Sequence, residues 1–270
     1  MDTPVMYGRL LLTGAAGALG RVLRPAMREW SPKLRLSDIA PMDPPQANEE
    51  VVTCDLADPG AMRKLLAGVD GVVHMGGIST DKPWEPILAG NIVGVYNLYE
   101  SARIAGTKRI VFASSNHAIG FRPRSERIDA DDPTRPDSLY GVSKTFGENI
   151  SRFYFDRYGI QTVCLRIGSA FPEPKDRRML ITWLSYGDLT SLVKASLFAP
   201  RVDHTIVFGA SANRDIGTWW DNSKAAHLDW KPKDNTEAFR ASREAAPPVD
   251  ASSPVEKYQG GAYVISGPYE

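Results

Sequence analysis

The sequence predicts an α/β protein with a doubly wound parallel sheet and a small C-terminal substrate lobe. Two observations lead to this fold class. Strand-like apolar runs alternate with helix-like segments, and a turn rich in glycine joins the first strand to the first helix. Strands that alternate with helices in short right-handed units lie parallel, and ligands of such sheets bind beyond the carboxyl ends of the strands.

The first unit reads RLLLTGAAGALGRVL, where an apolar run leads to Gly14, Gly17 and Gly20 and then to a helix-like pattern. Glycines in this place let the backbone approach a pyrophosphate, and the N-terminus of the following helix favours its negative charge. The spacing predicts the dinucleotide-binding turn of a Rossmann-like domain. Glycines also occur in ordinary turns, so the motif alone leaves that alternative open.

The second strand-like segment, KLRLSDI, places Asp38 at its end, 18 residues beyond Gly20. A carboxylate there accepts hydrogen bonds from the hydroxyls of the adenosine ribose and repels a 2′-phosphate. No arginine that could accommodate such a phosphate occurs among the next residues, 39–42. The sequence therefore predicts NAD rather than NADP as the cofactor.

The alternation continues as far as residue 169. Further strand-like runs are VVTCDLAD (51–58), DGVVHMGG (70–77), RIVFASS (109–115) and IQTVCLRIGS (160–169), and helix-like segments occupy 61–67, 84–105 and the region of Tyr140. Because the carboxyl ends of parallel strands meet at one edge, we expect the glycines and polar residues that follow these runs to lie together.

Tyr140 and Lys144 lie four residues apart in the helix-like segment LYGVSK and so project from one face. A phenol with an ordinary pKa of about 10 is a poor base at neutral pH, and a neighbouring ammonium favours its phenolate form. We therefore expect Lys144 to lower the pKa of Tyr140, and Tyr140 to act as a general base. An ordinary surface pair is the alternative interpretation of this spacing.

The regular alternation ends near Phe171. A helix-like segment at 188–198 and a strand-like run at 204–210 follow, and we assign both to a small lobe that covers the binding edge. The predicted division is a NAD-binding Rossmann domain with the catalytic serine, tyrosine and lysine, residues 1–170, and a substrate-binding lobe, residues 171–270. The two parts are expected to interweave as one compact unit.

The charge of the chain is balanced, with 32 Lys plus Arg against 32 Asp plus Glu, so no general attraction to nucleic acid or an anionic membrane is implied. No apolar stretch approaches the roughly 20 residues that span a bilayer. No signal-peptide pattern precedes the first strand, and we expect a cytoplasmic protein. Cys54 and Cys164 are expected to be buried thiols, and no metal site is predicted.

Five segments resemble the extended branch of the short-chain dehydrogenase/reductase superfamily, whose members include NAD-dependent epimerases and dehydratases. They are LLLTGAAGALG, CDLAD, FASSNHAIG, LYGVSKTFGEN and LRIGS. A narrower set resembles the uronate dehydrogenases: HMGGIS, GNIVGVYNLYESAR, SSNHAIGF, RPDSLYGVSK, ASAN and WWDNS. This likeness runs from about residue 9 to about residue 263.

The resemblance implies NAD-dependent oxidation of the C1 hydroxyl of cyclic hexuronates to the aldarolactone, in uronic acid catabolism, by a homo-oligomer. The sequence does not rank D-glucuronate against D-galacturonate, which differ in the configuration of one hydroxyl. Tyr140 would take the proton of the anomeric hydroxyl, Lys144 would lower the pKa of Tyr140 and bind the nicotinamide ribose, and Ser115 would hydrogen-bond the reacting oxygen.

Motifs and resemblance together define the expected contacts. Cofactor-binding residues are expected to be Gly14, Gly17, Ala18, Leu19, Gly20, Asp38, Asp55, Leu56, Gly76, Gly77, Asn91, Ser114, Tyr140, Lys144 and Ile167. Substrate-binding residues are expected to be Ser79, Ser115, Asn116, His117, Tyr140, Ser169 and Arg178. In this set Arg178 matches the position that holds the uronate carboxylate.

Several of these residues have a second interpretation. Ser79 and Ser169 also suit the ends of strands, and Asn116 can bond to its own backbone in a turn. His117 suits hydrogen bonds within a loop as well as contact with substrate, and the sequence shows no partner that would make it the catalytic base. Arg178 stands close to two other basic residues, so a solvated basic surface is its alternative.

Two other functions are compatible with the motifs. One is a sugar-nucleotide epimerase or dehydratase that uses bound NAD without net oxidation. The other is a regulator that binds NAD without catalysis, although such a protein would not need the combination of Ser115, Tyr140 and Lys144. The modest chain length favours a small substrate over a sugar nucleotide.

Overall fold

In the computed structural model, which describes residues 6–245, 250–267 and 269, the chain forms one parallel sheet of seven strands flanked by helices. The strands are β1 (Leu10–Thr13), β2 (Leu34–Asp38), β3 (Glu49–Thr53), β4 (Gly71–His74), β5 (Arg109–Ser115), β6 (Gln161–Ile167) and β7 (His204–Gly209). Their spatial order is β3-β2-β1-β4-β5-β6-β7. The predicted fold class, a Rossmann-like doubly wound parallel sheet, is confirmed.

Helices connect and cover the strands. They are α1 (Ala18–Arg28), α2 (Pro59–Leu66), α3 (Trp84–Ile87), α4 (Gly94–Ala105), α5 (Leu139–Tyr158), α6 (Met179–Thr182), α7 (Tyr186–Phe198), α8 (Glu237–Glu244) and α9 (Pro254–Lys257). The helix-like stretch predicted at 84–105 is interrupted, because a π-helical turn at Leu88–Val93 joins α3 to α4.

The core consists of two apolar layers, one on each face of the sheet. Successive side chains of a strand point to opposite faces, so Leu11 packs in one layer while Leu10 and Leu12 pack in the other. The layer of Leu12 contains apolar residues of α1 and α7, and the layer of Leu11 contains residues of α2 and α4. Helices on both faces are the defining feature of a doubly wound sheet.

The strand order reverses at β1, which pairs with β2 on one side and with β4 on the other. The register places Leu12 between Leu36 and Val73. The connections after β1 and β4 therefore leave the sheet in opposite directions and open a crevice beyond its carboxyl edge, which is where ligands of such sheets bind.

The region after residue 170 contributes to the sheet as well as to the covering segments. β7 pairs in parallel with β6, and α7 packs against α1 and β5. The sequence predicted both elements but placed them in the lobe, because a strand-like pattern does not show which neighbour the strand joins. The boundary predicted at residue 170 falls between two adjacent strands of one sheet. The division into 1–170 and 171–270 stays a prediction, and residues 246–249, 268 and 270 of that lobe lie outside the described residues.

Both cysteines, Cys54 and Cys164, are free thiols buried in the core, as expected. Among the described residues no group of three His, Cys, Asp or Glu side chains is arranged to hold a metal ion. Within the same residues, no helix has the length and apolar character needed to cross a membrane.

Candidate active site

A cleft of about 910 Å³ lies beyond the carboxyl ends of β1, β4, β5 and β6. Residues from the whole chain line it, from the glycine-rich turn to the C-terminal segment near Tyr263. Every residue predicted for the site lines this cleft except Asn91. The structure thus brings together residues that are far apart in sequence, and their contacts with cofactor and substrate remain predictions.

The turn after β1 leaves a cradle at the N-terminus of α1. Gly14 has a φ of 68°, and a Cβ on it would lie 2.5 Å from the Met75 carbonyl carbon. A Cβ on Gly20 would collide with the carbonyl oxygen of Gly14. The N-cap residue, Gly17, has no capping side chain, and the first turn of α1 carries no acidic residue. The first backbone N–H groups of α1 are therefore available for an anion, and the cradle fits a pyrophosphate.

The carboxylate of Asp38 is fixed at the end of β2. Its Oδ2 accepts a hydrogen bond from the backbone N–H of Ala16 at 2.9 Å, and Oδ1 accepts one from Ala40 at 3.0 Å. Each oxygen keeps a further lone pair, so Asp38 can accept from two ribose hydroxyls. Asp55 and Leu56, which follow β3, line the same end of the cleft.

Asn91 is buried beside the cleft and does not line it, and its contact with the cofactor stays a prediction. Its Oδ1 accepts from the backbone N–H of Ile78, and its Nδ2 donates to the Ile78 carbonyl and to Ser143 Oγ. All its amide hydrogens are used in these bonds. A Cβ on Gly77, at φ 103°, would lie 2.5 Å from Asn91 Oδ1. Asn91 therefore holds the loop of Gly76 and Gly77 in place.

Tyr140 and Lys144 lie in the first two turns of α5, whose N-cap Ser138 accepts a hydrogen bond from the N–H of Gly141. Lys144 Nζ donates to the carbonyl oxygen of Ala113 at 2.8 Å and lies 5.3 Å from the centre of the Tyr140 ring. Both side chains are buried. The predicted common face of Tyr140 and Lys144 is thus present, and it points into the cleft.

In the protein without ligands, burial outweighs the other influences on the pKa of Tyr140, and the expected lowering of this pKa by Lys144 stays a prediction. Burial raises the pKa of the Tyr140 phenol above its ordinary value, and Ser115 opposes this through a hydrogen bond. Burial also lowers the pKa of Lys144 to about 8. Spacing on a helix shows that two side chains are near each other, but it does not show that both have lost their water. Loss of water disfavours the charged form of each group.

A buried ion pair between Glu148 and Arg166, which the sequence did not predict, fixes Ser114 at the end of β5. Ser114 Oγ donates to Oε1 of Glu148 at 2.6 Å, and Arg166 donates to both oxygens of the same carboxylate at 2.9 Å. Glu148 lies one turn after Lys144 on α5, and this spacing was the available signal. The three residues join β5, α5 and β6 beneath the site. Ser115 Oγ accepts from the N–H of His117 at 3.1 Å.

Arg178 lies in the cleft wall, half-buried, with its guanidinium held by neutral acceptors. Nε donates to the backbone carbonyl of Gln259 at 2.6 Å, and Nη1 lies 3.4 Å from Ser169 Oγ. The side-chain amide of Asn116 is oriented so that its oxygen accepts a hydrogen bond from Nη2 of Arg178 at 2.5 Å. Burial lowers the pKa of Arg178 to about 10, and the contacts of its guanidinium in the described part of the chain are with neutral acceptors and not with a carboxylate. The alternative of a solvated surface residue does not describe this environment.

His117 has a partner that the sequence did not indicate. Its Nδ1 lies 2.8 Å from Oδ2 of Asp137, and its ring stacks on Tyr263 with centroids 3.7 Å apart. Burial lowers the pKa of His117, and the carboxylate of Asp137 opposes this shift. The net lowering favours the neutral imidazole. Asp137 lies within the segment RPDSLYGVSK and Tyr263 lies near the C-terminus, but no pattern in the sequence pairs either residue with His117.

The C-terminal segment closes the substrate end of the cleft. Asp81, in the loop after Ser79, accepts hydrogen bonds from the N–H of Tyr140 and from the hydroxyls of Ser266 and Tyr269. One carboxylate thus joins the loop after β4, the start of α5 and the C-terminal segment. Gly261, at φ 64°, lies against Arg178, where a Cβ would lie 2.7 Å from Cδ.

Residues 10–188 match the NAD dependent epimerase/dehydratase family. The chain is 56% identical to the uronate dehydrogenase of Pseudomonas putida over 268 residues, with 99% of each chain covered. It is 56% identical to the uronate dehydrogenase of Agrobacterium fabrum, with 95% of this chain and 96% of that one covered.

A solved structure extends this similarity to three dimensions. The uronate dehydrogenase of Agrobacterium tumefaciens, crystallised as a tyrosine-to-alanine mutant complexed with NAD, is 54% identical. The TM-score is 0.93, with 97% of this chain and 98% of that chain covered. The cleft therefore occurs in a fold shared almost completely with these proteins. The chain belongs to the NAD dependent epimerase/dehydratase family and, within it, to the uronate dehydrogenases.

Proposed function

We propose that the protein oxidises the C1 hydroxyl of a cyclic hexuronate, D-glucuronate or D-galacturonate, to the aldarolactone with NAD, as a step in uronic acid catabolism. The relatives above are named for this class of activity. The cradle at the start of α1 and the carboxylate of Asp38 supply binding groups for NAD. The substrate end of the cleft supplies hydroxyl-binding groups and one cation.

The positive charge of Arg178 is the observation that favours a uronate over a neutral hexose as the substrate. A guanidinium that has lost much of its water and pairs with no carboxylate of the described chain is ready to receive an anion. The planar fork of Arg178 matches a carboxylate in two parallel hydrogen bonds. A uronate differs from a neutral hexose in having this carboxylate at C6. Arg178 therefore serves as the carboxylate-binding residue.

Polar side chains around Arg178 serve the sugar hydroxyls. They are Ser79, Asn116, His117 and Ser169, and each lines the cleft. Asn116 and Ser169 also contact Arg178, so the hydroxyl-binding and carboxylate-binding groups form one connected surface. This connection limits the number of orientations in which a uronate satisfies all of them.

Tyr140 acts as the general base. Its phenolate oxygen takes the proton of the C1 hydroxyl, C1 loses its hydrogen as hydride, and a carbonyl forms at C1, which turns the sugar into a lactone. When bound, NAD supplies the hydride acceptor and, in its oxidised form, a positively charged ring. A positive charge beside the buried phenol lowers its pKa, and the Ser115 hydrogen bond acts in the same direction. Lys144 donates to the nicotinamide ribose, and Ser115 holds the reacting oxygen.

A homo-oligomer is part of this proposal, and a second copy of the chain is the partner. Large apolar side chains are exposed on two adjacent helices: Tyr96 and Ile104 on α4, and Val142, Phe153 and Tyr158 on α5. A patch of this kind is typical of a protein interface. Sedimentation of wild type and of Phe153→Glu tests whether this patch forms an oligomer interface, and a monomeric wild type would contradict the proposal.

We also propose a cytoplasmic location, where free buried thiols such as Cys54 and Cys164 stay reduced.

The activity is tested by mixing the purified protein with NAD and either uronate. We expect net formation of NADH, followed by its absorbance, and a lactone as the first product in the NMR spectrum. A sugar-nucleotide epimerase or dehydratase would convert a nucleotide-linked sugar without net NADH formation. That result, together with no NADH from either uronate, would overturn the proposal.

A further inference from the structure

His117 and Asp137 form a buried hydrogen-bonded pair beside the cleft. The Asp137 side chain is fully buried, with Oδ2 at 2.8 Å from Nδ1 of His117 and Oδ1 accepting from the hydroxyl of Ser138 at 2.8 Å. In the described chain, no Lys or Arg lies within ion-pair distance of Asp137. A buried carboxylate needs donors, and the Nδ1–H of the imidazole is the one that faces Oδ2.

Two glycines enclose the carboxylate of Asp137. A Cβ on Gly120 or on Gly260 would collide with Oδ2. The two glycines are themselves joined by a hydrogen bond from the N–H of Gly260 to the carbonyl of Gly120 at 2.8 Å. The carboxylate therefore has little freedom to move away from His117, and the C-terminal segment is part of its enclosure.

The other ring nitrogen of His117 has no partner in the described residues. Nδ1 is the ring atom that bonds to Asp137, while His117 lines the cleft and keeps part of its ring exposed there. Tyr263 stacks on one face of the ring, and Tyr140 meets it edge-on at 5.8 Å between centroids. Both aromatic contacts restrict rotation of the imidazole, and Nδ1 is occupied by Asp137, so Nε2 is the ring nitrogen left for a ligand in the cleft.

We propose that Asp137 is a positioning residue that fixes His117 in the tautomer protonated at Nδ1, so that Nε2 accepts a hydrogen bond from a substrate hydroxyl. This inference rests on the proposed function for the identity of the substrate. In a neutral imidazole one nitrogen donates and the other accepts, and the hydrogen bond at one determines the state of the other. Tyr263 completes the arrangement by holding the plane of the ring. The opposite tautomer would present N–H to a hydroxyl oxygen and lose the acceptor.

The first test measures the tautomer in the wild-type protein without substrate, from the nitrogen chemical shifts of His117, assigned with His117→Gln. We expect the proton on Nδ1. In Asp137→Asn, whose amide can donate to Nδ1, we expect a shift toward the form protonated at Nε2. A wild-type imidazole protonated at Nε2 would overturn the proposal, and this measurement needs neither activity nor a folded variant of Asp137.

The second test is a double-mutant cycle on uronate oxidation. Asp137→Asn should raise the KM for uronate about tenfold and leave the KM for NAD unchanged, as expected for loss of one positioned acceptor. In the His117→Gln background, whose amide has no tautomer to fix, the same change should alter kcat/KM by about twofold or less. Asp156→Asn, which removes an exposed carboxylate at the other end of α5, is the matched control.

Equal effects of Asp137→Asn in both backgrounds would show a general structural role and would overturn the inference. Failure of the proposed function gives a different pattern. If wild type oxidises no uronate, the proposed substrate is wrong, and the tautomer measurement still decides whether Asp137 fixes His117.

Discussion

Lys144 donates a hydrogen bond from Nζ to the backbone carbonyl of Ala113 at 2.8 Å, so the ammonium of the site is held by a neutral acceptor and not by a carboxylate. Burial is the cause that lowers the pKa of Lys144 to about 8, from a value of 10.5 in water. A bond to a carbonyl orients the ammonium without neutralising it. The lysine is thereby positioned for a ligand while its charged form is less stable than that of a surface lysine.

The first prediction concerns this titration. The resonance of the Lys144 side-chain carbon next to Nζ, assigned with Lys144→Met, should titrate with a midpoint near pH 8 in the protein without ligands. Between about pH 8 and pH 10.5 the unfolded chain binds more protons at this residue than the folded one, so the contribution of Lys144 to stability rises with pH. A midpoint near that of surface lysines would contradict the burial described for the site.

Tyr140→Phe should remove most of the turnover and leave the binding of NAD nearly unchanged. The fold and the cofactor cradle do not depend on the phenolic oxygen, whereas loss of a general base costs typically about 10²- to 10⁴-fold in rate. Steady-state kinetics and titration with NAD measure the two quantities separately. Turnover within a few-fold of wild type would remove Tyr140 from the mechanism.

Asp38→Ala should raise the KM for NAD and relax the discrimination against NADP. The carboxylate that accepts from Ala16 and Ala40 is expected to accept from the ribose hydroxyls and to repel a 2′-phosphate. Asp43→Ala, a change in the loop that follows, is the control for loss of one negative charge. Unchanged kinetics with both cofactors would place the ribose contact elsewhere.

The sequence allowed prediction of the parts that depend on local pattern. The alternation of apolar runs located the strands, and the glycines that follow β1 and the acidic end of β2 were correctly expected at one end of the cleft, where their contacts with the cofactor stay a prediction. These signals are local because each depends on a few consecutive residues. The turn at Gly14 needs a residue that tolerates a positive φ, and a buried strand needs a run of apolar residues. These residues lie together because the carboxyl ends of parallel strands meet at the same edge of the sheet.

Contacts between distant segments were not visible in the sequence. Tyr263 and Gln259 reach the site through packing of irregular segments, which carry no periodicity that pairs one with another. The burial of Tyr140, which raises the pKa of its phenol, was not visible for a related reason, since it depends on the whole fold. The hydrogen bonds of Asn91 to the backbone of Ile78 were likewise not visible, and its contact with the cofactor stays a prediction.

The most direct test of the account is the preference for a uronate over the neutral hexose, measured as the ratio of kcat/KM values for glucuronate and glucose. Wild type should favour glucuronate by roughly 10²-fold or more, because glucose would leave the guanidinium of Arg178 unpaired. Arg178→Ala should lose most of this ratio with little change in NAD affinity, and Arg178→Lys should recover part of it, since a point charge lacks the planar fork. Arg177→Ala, a change in the preceding residue, should keep the wild-type ratio. An Arg178→Ala enzyme that retains both its KM for glucuronate and its preference over glucose would contradict the assignment of the carboxylate to Arg178.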